Sequence, residues 1–285
     1  MAPVRWIRLR NVPLVRQLRL EEALFRAPSG TWVVTNTFGS AGYDDAGEGE
    51  RADGAERHVH AIAMGISGKP ELLLDEALMR ERRVPIVRRF TGGGTVVLDR
   101  GTLLVSLISG ADALPAVRPF PHELMAWTAA ELYAPLLAPI LAPHARESFG
   151  LVEQDYCLGT RKCAGNAQAI SGGRWVHHTS FLWDYSSEPM ALLKVPARRP
   201  AYRGERSHED FLVGLSTVLP SRRAFWERLE PALASAFGTR VEQSAVCVSA
   251  TDGGRALAAL EEDARTRAAE HLRVKTCLVD WPPAI

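Results

Sequence analysis

Apolar and polar positions along this chain repeat with two periods, and the switches between them mark the expected elements. Leu14, Val15, Leu18, Glu22 and Phe25 recur at near-helical spacing, and TWVVTNTF after them has the β-branched, aromatic character of a strand. Residues 39–57 are glycine-rich and charged with almost nothing to bury, so a mobile surface insertion is expected there. HAIAMGIS reads as a buried strand, KPELLLDEALMRER as one helix with its leucines on one face, and VPIVRRF as a strand entered through Pro85. TVVLD and LLVSLIS flank the turn signal Asp99-Arg100-Gly101, so the three glycines before them are expected to feed a hairpin.

Pro121 opens a helix to about Leu137, striped by Leu124, Met125, Thr128, Leu132 and Leu136, which should pack on the sheet. DYCLGTRKCAGNAQAI and RWVHHTSFLWDY are strand-like around the turn Ser171-Gly172-Gly173. SRRAFWERLEPALASAFG and RALAALEEDARTRAAEHLR are helical by pattern, with Pro231 expected to kink or split the first. There is no internal repeat. Runs of strands with interspersed helices predict an α+β fold, with mixed, mostly antiparallel sheets flanked by helices.

Composition narrows the function classes. The chain has 285 residues and is 46% hydrophobic, enough for a substantial core. Its 34 lysines and arginines nearly balance 33 aspartates and glutamates, which argues against non-specific nucleic-acid binding. The most apolar stretch, HELMAWTAAELYAPLLAPIL, is broken by Glu123, Glu131 and two prolines, so no membrane span is expected. Cys157, Cys163, Cys247 and Cys277 form no CxxC pair and no zinc spacing, and reduced thiols in an intracellular compartment account for them. The first twenty residues hold five arginines and no acid. This weakly suggests an organelle leader, so the cytoplasm is the expected compartment, with the mitochondrial matrix as the alternative.

Two segments carry candidate chemistry. In RRFTGGGTVVLD, Gly92, Gly93 and Gly94 let the backbone approach a ligand and aim N–H groups at an anion, although on their own three glycines read equally as a plain flexible hairpin. Arg88 and Arg89 can add charge-assisted bonds to phosphate, but neighbouring strand residues face opposite ways, so one of them should be structural. Neither a GxxxxGK[ST] loop nor a dinucleotide fingerprint is present. Lys162 precedes the small residues Ala164, Gly165 and Ala167, which leave room for its ammonium to lean over a cavity. His177 and His178 are adjacent, so one alone can face a pocket, and no third ligand suggests a metal.

Together, in this order, the two segments resemble the catalytic domain of the lipoate-protein ligase A family among the biotin/lipoate protein ligases. Arg88, Arg89, Gly92, Gly93, Gly94, Val96 and Asp99 stand at the positions of its RRxxGGGxVxHD segment. Lys162, Gly165, Asn166 and Ala167 match its lysine stretch, and His177, His178, Ser180 and Leu182 match the strand that follows. The likeness covers roughly residues 11–240. It implies a catalytic domain over residues 1–250, related to class II aminoacyl-tRNA synthetases, with residues 251–285 a helical extension too short for a full accessory domain.

The resemblance further implies a two-step reaction. Lipoate, octanoate or a similar acid attacks the α-phosphate of ATP to give acyl-AMP, and a lysine of a lipoyl carrier domain, of 2-oxoacid dehydrogenase or glycine-cleavage type, then takes the acyl group. Lys162 would be the catalytic charge, and the glycine loop with Arg89 would hold the phosphates. Thr95, Val96 and Val97 would line the nucleotide side, while Asp99, Asp155 and His178 would support the site. Mg2+ is expected with the pyrophosphate, and a separate accessory subunit is a possible partner. The sequence departs from the pattern at Phe90, Leu98 and Thr179, and Phe90 is expected to reshape the pocket. ATP-independent octanoyl transfer, through a thiol such as Cys157, and a catalytically silent binder of acyl-nucleotide or carrier remain as alternatives.

Overall fold

The computed structural model describes residues 2–38, 59–145, 148–185, 187–194, 200–248, 255–268 and 274–282. The insertion expected at 39–57 lies outside them. The strands are β1 (Val4–Arg10), β2 (Thr31–Thr37), β3 (Val59–Met64), β4 (Ile86–Arg88), β5 (Thr95–Asp99), β6 (Thr102–Gly110), β7 (Phe149–Val152), β8 (Asp155–Leu158), β9 (Arg161–Ser171), β10 (Arg174–Leu182), β11 (Val241–Val248) and β12 (Cys277–Val279). The helices are α1 (Leu14–Arg26), α2 (Pro70–Leu73), α3 (Glu76–Arg82), α4 (Pro121–Trp127), α5 (Ala134–Leu137), α6 (Ser187–Met190), α7 (His208–Phe211), α8 (Arg222–Phe237) and α9 (Arg255–Arg267). A π-type turn, Thr128–Tyr133, joins α4 to α5. Among the described residues no helix is long and apolar enough to cross a membrane.

Two mixed sheets form the α+β frame. The larger runs β11-β1-β2-β6-β10-β9-β8-β7, and the smaller runs β12-β4-β3-β5. One face of the larger sheet buries Trp6, Leu107, Trp175 and Phe181 against the α4–α5 segment and α8. Its other face receives α1 and α9 at one end and the smaller sheet at the other. Leu14 and Leu18 of α1 pack with Ala63, Val87, Leu98 and Leu104 between the two sheets. The amphipathic stripe read from the sequence is thus what holds the layers together.

The structure corrects several local expectations. TVVLD and LLVSLIS do not form a hairpin: β5 pairs with β3 in the small sheet and β6 with β2 and β10 in the large one. Gly101 permits this passage between sheets, since a Cβ there would stand 2.2 Å from the Asp184 carbonyl oxygen. KPELLLDEALMRER is two helices, because the Asp75 side chain accepts from the Leu78 amide at 3.0 Å and starts α3 afresh. DYCLGTRK turns at Gly159 (φ 61°) into two strands. Pro231 does not split α8; it lies on the exposed side while Phe225, Trp226, Leu229, Leu233 and Phe237 stay buried.

The C-terminal segment returns to the body. Arg16 of α1 makes paired contacts of 3.1 and 3.2 Å with Glu261 of α9, and β12 adds a strand beside β4. Glu22, fully buried on α1, accepts from the Lys275 and Thr276 amides and the Thr276 hydroxyl at 2.9–3.1 Å. A buried carboxylate is stable there because its oxygens are satisfied.

Candidate functional site

Between β4 and β5 the glycine segment lies on β9. The Gly92 amide donates to the Gln168 carbonyl at 3.0 Å. Gly93 has φ 96°, and a Cβ on it would stand 3.1 Å from the Ala167 Cβ and 2.9 Å from the Arg89 guanidinium. Only glycine fits this contact without strain. At Gly94 a Cβ would meet nothing within 4 Å, so this part of the loop faces open space.

Arg89 is buried beneath the loop it was expected to help. Its guanidinium donates to the carbonyls of Gly92 (3.0 and 3.2 Å), Gly94 (2.6 Å) and Ala63 (3.2 Å). Burial lowers its pKa to about 10, which leaves it charged near neutrality. It therefore braces the loop from below and reaches phosphates only through that loop. Arg88, on the opposite face, donates to the carbonyls of Ile66 (3.2 Å) and Gly68 (2.6 Å). Both arginines hold backbone, where alternation alone required only one to be structural.

Phe90 does not shape the Lys162 side of the segment. It stacks on Phe25 at 5.7 Å and meets His178 edge-on at 5.9 Å, within the α1 cluster. Val97 also turns away, packing with Ile62, Met79 and Ile86 on the far face of the small sheet. Leu98, 1% exposed, and Val96 belong to the contact between the sheets. Thr95 keeps a buried Oγ1 with no hydrogen-bond partner among the described residues. Asp99 caps its own turn, accepting from the Gly101 amide at 2.7 Å.

Lys162 reaches the same side of β9 by way of a bulge. Tyr156 pairs with Ala164 and Cys157 with Lys162, which leaves Cys163 as the extra residue. Cys163 and Ala164 consequently both enter the main core, and Lys162 shares a face with Gly165. Ala164 thus leaves no room over a cavity, whereas Gly165 does: a Cβ there would stand 3.4 Å from Lys162 Nζ and 3.6 Å from Ser180 Oγ. Lys162 Nζ lies 2.7 Å from Asp155 Oδ1. Asn166 turns outward, its amide donating to the Gln154 carbonyl at 2.5 Å.

The two histidines divide as alternation required. His177 is fully buried, accepting from the Gln168 amide at Nδ1 (2.9 Å) and donating through Nε2 to the Tyr156 hydroxyl (2.8 Å). Desolvation, and then the neighbouring His178, depress its pKa to about 3, so it is a neutral core residue. His178 stands on the loop side, 3.5 Å from Thr91 Oγ1 and 2.8 Å from the buried Glu21 carboxylate. Glu21 accepts from Gln17 at 2.8 Å, and Gln17 from Asn36 at 2.9 Å, so a buried polar chain runs from β2 to the loop. Sequence reading missed Glu21, which sits within an apolar helix face, and Tyr202, whose hydroxyl donates to Asp155 at 2.9 Å. No local pattern marks either one.

Cys157 is 1% exposed, and burial raises its thiol pKa, which opposes thiolate chemistry. Among the described residues no group of three His, Cys, Asp or Glu side chains stands together as a metal site. A groove of about 320 Å³ beside Phe120 and Ile170 meets this region only at Gln168.

Comparison with known proteins gives a consistent family. A model of the lipoyl protein ligase A/B catalytic domain matches residues 55–238. The inactive lipoate-protein ligase 2 of Plasmodium falciparum is 27% identical over 234 residues, 71% of this chain, which spans 61% of that relative's length. A lipoate-protein ligase A structure bound with ATP superposes with TM-score 0.63 at 14% identity, over 94% of this chain and 96% of the other. The bi-partite lipoate protein ligase of Thermoplasma acidophilum, from a structural analysis of that ligase and its E2 lipoyl domain, gives 0.61 at 17% identity, over 96% and 100%. A putative lipoate protein ligase from T. acidophilum with bound lipoic acid gives 0.60 at 14%, over 92% and 94%. At these identities the superpositions speak for the fold.

Proposed function

Because the chain belongs to the lipoyl protein ligase A/B catalytic-domain family, we propose that it activates lipoate or a similar medium-chain acid with ATP and transfers the acyl group to a carrier-protein lysine. The observation that carries this reading is the docking of the glycine loop on the lysine strand. Gly92 bonds Gln168 and Gly93 rests on Ala167, so the open Gly94 corner and Lys162 over Gly165 share one face of β9. Backbone N–H groups beside an ammonium suit phosphate and carboxylate oxygens whose charge changes during reaction.

In the first step a carboxylate oxygen of the acid attacks the α-phosphorus of ATP, the new O–P bond forms and pyrophosphate leaves. Lys162 would stabilise the charge on the oxygens of both groups. The loop amides near Gly94, held rigid from below by Arg89, would bind phosphate. In the second step the carrier lysine, as a free amine, attacks the acyl carbonyl and AMP departs. The described residues provide no carboxylate cluster for Mg2+, since both Asp155 oxygens are already engaged.

The partner proposed is a lipoyl domain of 2-oxoacid dehydrogenase or glycine-cleavage type, in line with the E2 lipoyl domain paired with one structural neighbour. A separate accessory subunit is proposed on the same ground, that neighbour being bi-partite.

A second reading, a silent binder of acyl-nucleotide or carrier, draws on two observations. The curated relative is named inactive, and Lys162 is already neutralised by Asp155. Separate titrations of lipoyl-AMP and of lipoate, followed by a pyrophosphate-release assay with ATP and lipoate, divide the readings. Release supports the ligase, and tight lipoyl-AMP binding without release supports the binder. Transfer from an acyl-carrier thioester in the absence of ATP would replace both.

A further inference from the structure

Residues 200–213 lie against the β7–β8 and β8–β9 turns and the start of β9. The Tyr202 amide donates to Glu153 Oε1 at 2.8 Å, and Arg206 donates to the carbonyls of Thr160 (2.9 Å) and Tyr202 (2.5 Å). Farther on, the Val213 amide donates to the Lys162 carbonyl at 2.9 Å. The Tyr202 ring packs on Phe211 at 5.2 Å, and the Arg206 guanidinium lies 5.9 Å from the Tyr202 ring and 5.2 Å from the Phe211 ring.

This packing aims the Tyr202 hydroxyl at Asp155. The phenol donates to Asp155 Oδ2 at 2.9 Å, while Asp155 Oδ1 takes Lys162 Nζ at 2.7 Å. A carboxylate gripped at one oxygen can rotate and carry its partner with it, whereas one gripped at both is fixed. The Cys157 thiol closes the arrangement by donating to the phenol oxygen at 3.4 Å, so the phenol proton is left for Asp155. Burial raises the Tyr202 pKa, which keeps it a donor.

We propose that Tyr202 is a positioning residue for Lys162, acting through Asp155, and that it makes the lysine's orientation depend on the packing of residues 200–213 against these turns and the start of β9. The inference rests on the reading of Lys162 as the working charge, and it concerns a segment with no part in either recognised motif. A four-carbon side chain such as lysine loses considerable rotamer entropy when fixed, so a group that fixes it in advance spares the reaction that cost.

The test is the reactivity of Lys162 toward acetyl N-hydroxysuccinimide ester, read by peptide mass spectrometry against the exposed Lys69. Tyr202→Phe keeps the ring packing and removes only the hydroxyl. It is expected to raise the Lys162:Lys69 labelling ratio about fivefold, as loss of one net hydrogen bond should. Asp155→Asn should also raise the ratio, and the double variant should not exceed the larger single effect, because the two residues act in series. In the pyrophosphate assay Tyr202→Phe should lower kcat about fivefold without raising KM for ATP, with a thermal midpoint lowered by no more than about 2–4 °C. A Tyr202→Phe ratio equal to wild type, or single effects that multiply in the double variant, overturns the proposal. If wild type releases no pyrophosphate the ligase reading fails, while the labelling ratios still decide the role of Tyr202.

Discussion

The Gly92 amide donates to the Gln168 carbonyl at 3.0 Å, and this bond joins the two motifs that carry the chemistry. Gln168 lies in the half of β9 beyond its pairing with β8, so its outward carbonyl is free to receive the loop. Gln168 also donates its side-chain amide to His177 and to the Pro121 carbonyl. The loop is therefore docked on a strand that the core itself fixes.

The adjacent glycines are expected to separate folding from binding. Gly93→Ala must place a Cβ at φ 96° against Ala167 and Arg89, which costs about 1–3 kcal/mol. Gly94→Ala adds a methyl into open space and should change stability by less than about 0.5 kcal/mol while weakening ATP binding. Urea unfolding together with nucleotide titration of both variants checks this, and equal behaviour of the two would count against the loop geometry.

Arg89→Met removes a buried cation and strands the carbonyls of Ala63, Gly92 and Gly94. A stability loss of about 3 kcal/mol is expected, since bonds to a charged donor are worth about 1.5–3 kcal/mol each and partly relax to water. Hydrogen exchange should show the Gly92 amide losing protection. An Arg89→Met protein of wild-type stability that merely binds ATP poorly would instead make Arg89 a direct phosphate ligand.

His177 predicts a specific pH dependence. Its folded pKa of about 3 lies below the ordinary 6.5, so between these values the unfolded chain binds a proton that the native protein refuses. Stability contributed by the neutral ring is full above pH 6.5 and falls with decreasing pH by about 1.4 kcal/mol per unit until about pH 3. Unfolding measured from pH 7 to 4 should show this slope in wild type and a slope smaller by one proton in His177→Gln.

Glu22→Ala should release the C-terminal strand. Its fully buried carboxylate accepts from the Lys275 and Thr276 amides, the Thr276 hydroxyl and Arg26. The expected result is rapid proteolysis within residues 274–282 in a molecule that keeps its main core, seen by limited digestion and mass spectrometry. Uniform resistance to digestion would show that β12 is held without Glu22, by its pairing with β4 and the packing of Val279 and Trp281.

Much of this arrangement was legible from local patterns. The stripe on α1, the hairpin turn at Ser171-Gly172-Gly173 and the opposed faces of His177 and His178 follow from side-chain period and turn chemistry, and the structure keeps them. Strand β1 is not read from the sequence, where its arginines only faintly resemble a leader; Arg5 and Arg8 lie over the rings of Trp32 and Trp6. The assignment of β5 and β6 to different sheets is a non-local outcome that a turn signal between them does not encode. Within the site, spacing pointed to Lys162 and the glycines, but the bulge at Cys163 decides which small residues lie under the ammonium. Tyr202 and Glu21 become visible only through their partners in space.

The most direct test of the central claim is a single-turnover reaction of the protein with α-phosphate-labelled ATP and lipoate, resolved for lipoyl-AMP, in wild type and Lys162→Ala. Removal of a preorganised charge at the reacting oxygens predicts lipoyl-AMP formation in wild type and a rate about a hundred- to a thousandfold lower in Lys162→Ala, with the fold intact. Lipoyl-AMP formed equally fast without Lys162, or none formed by wild type at saturating ATP and lipoate, would contradict it.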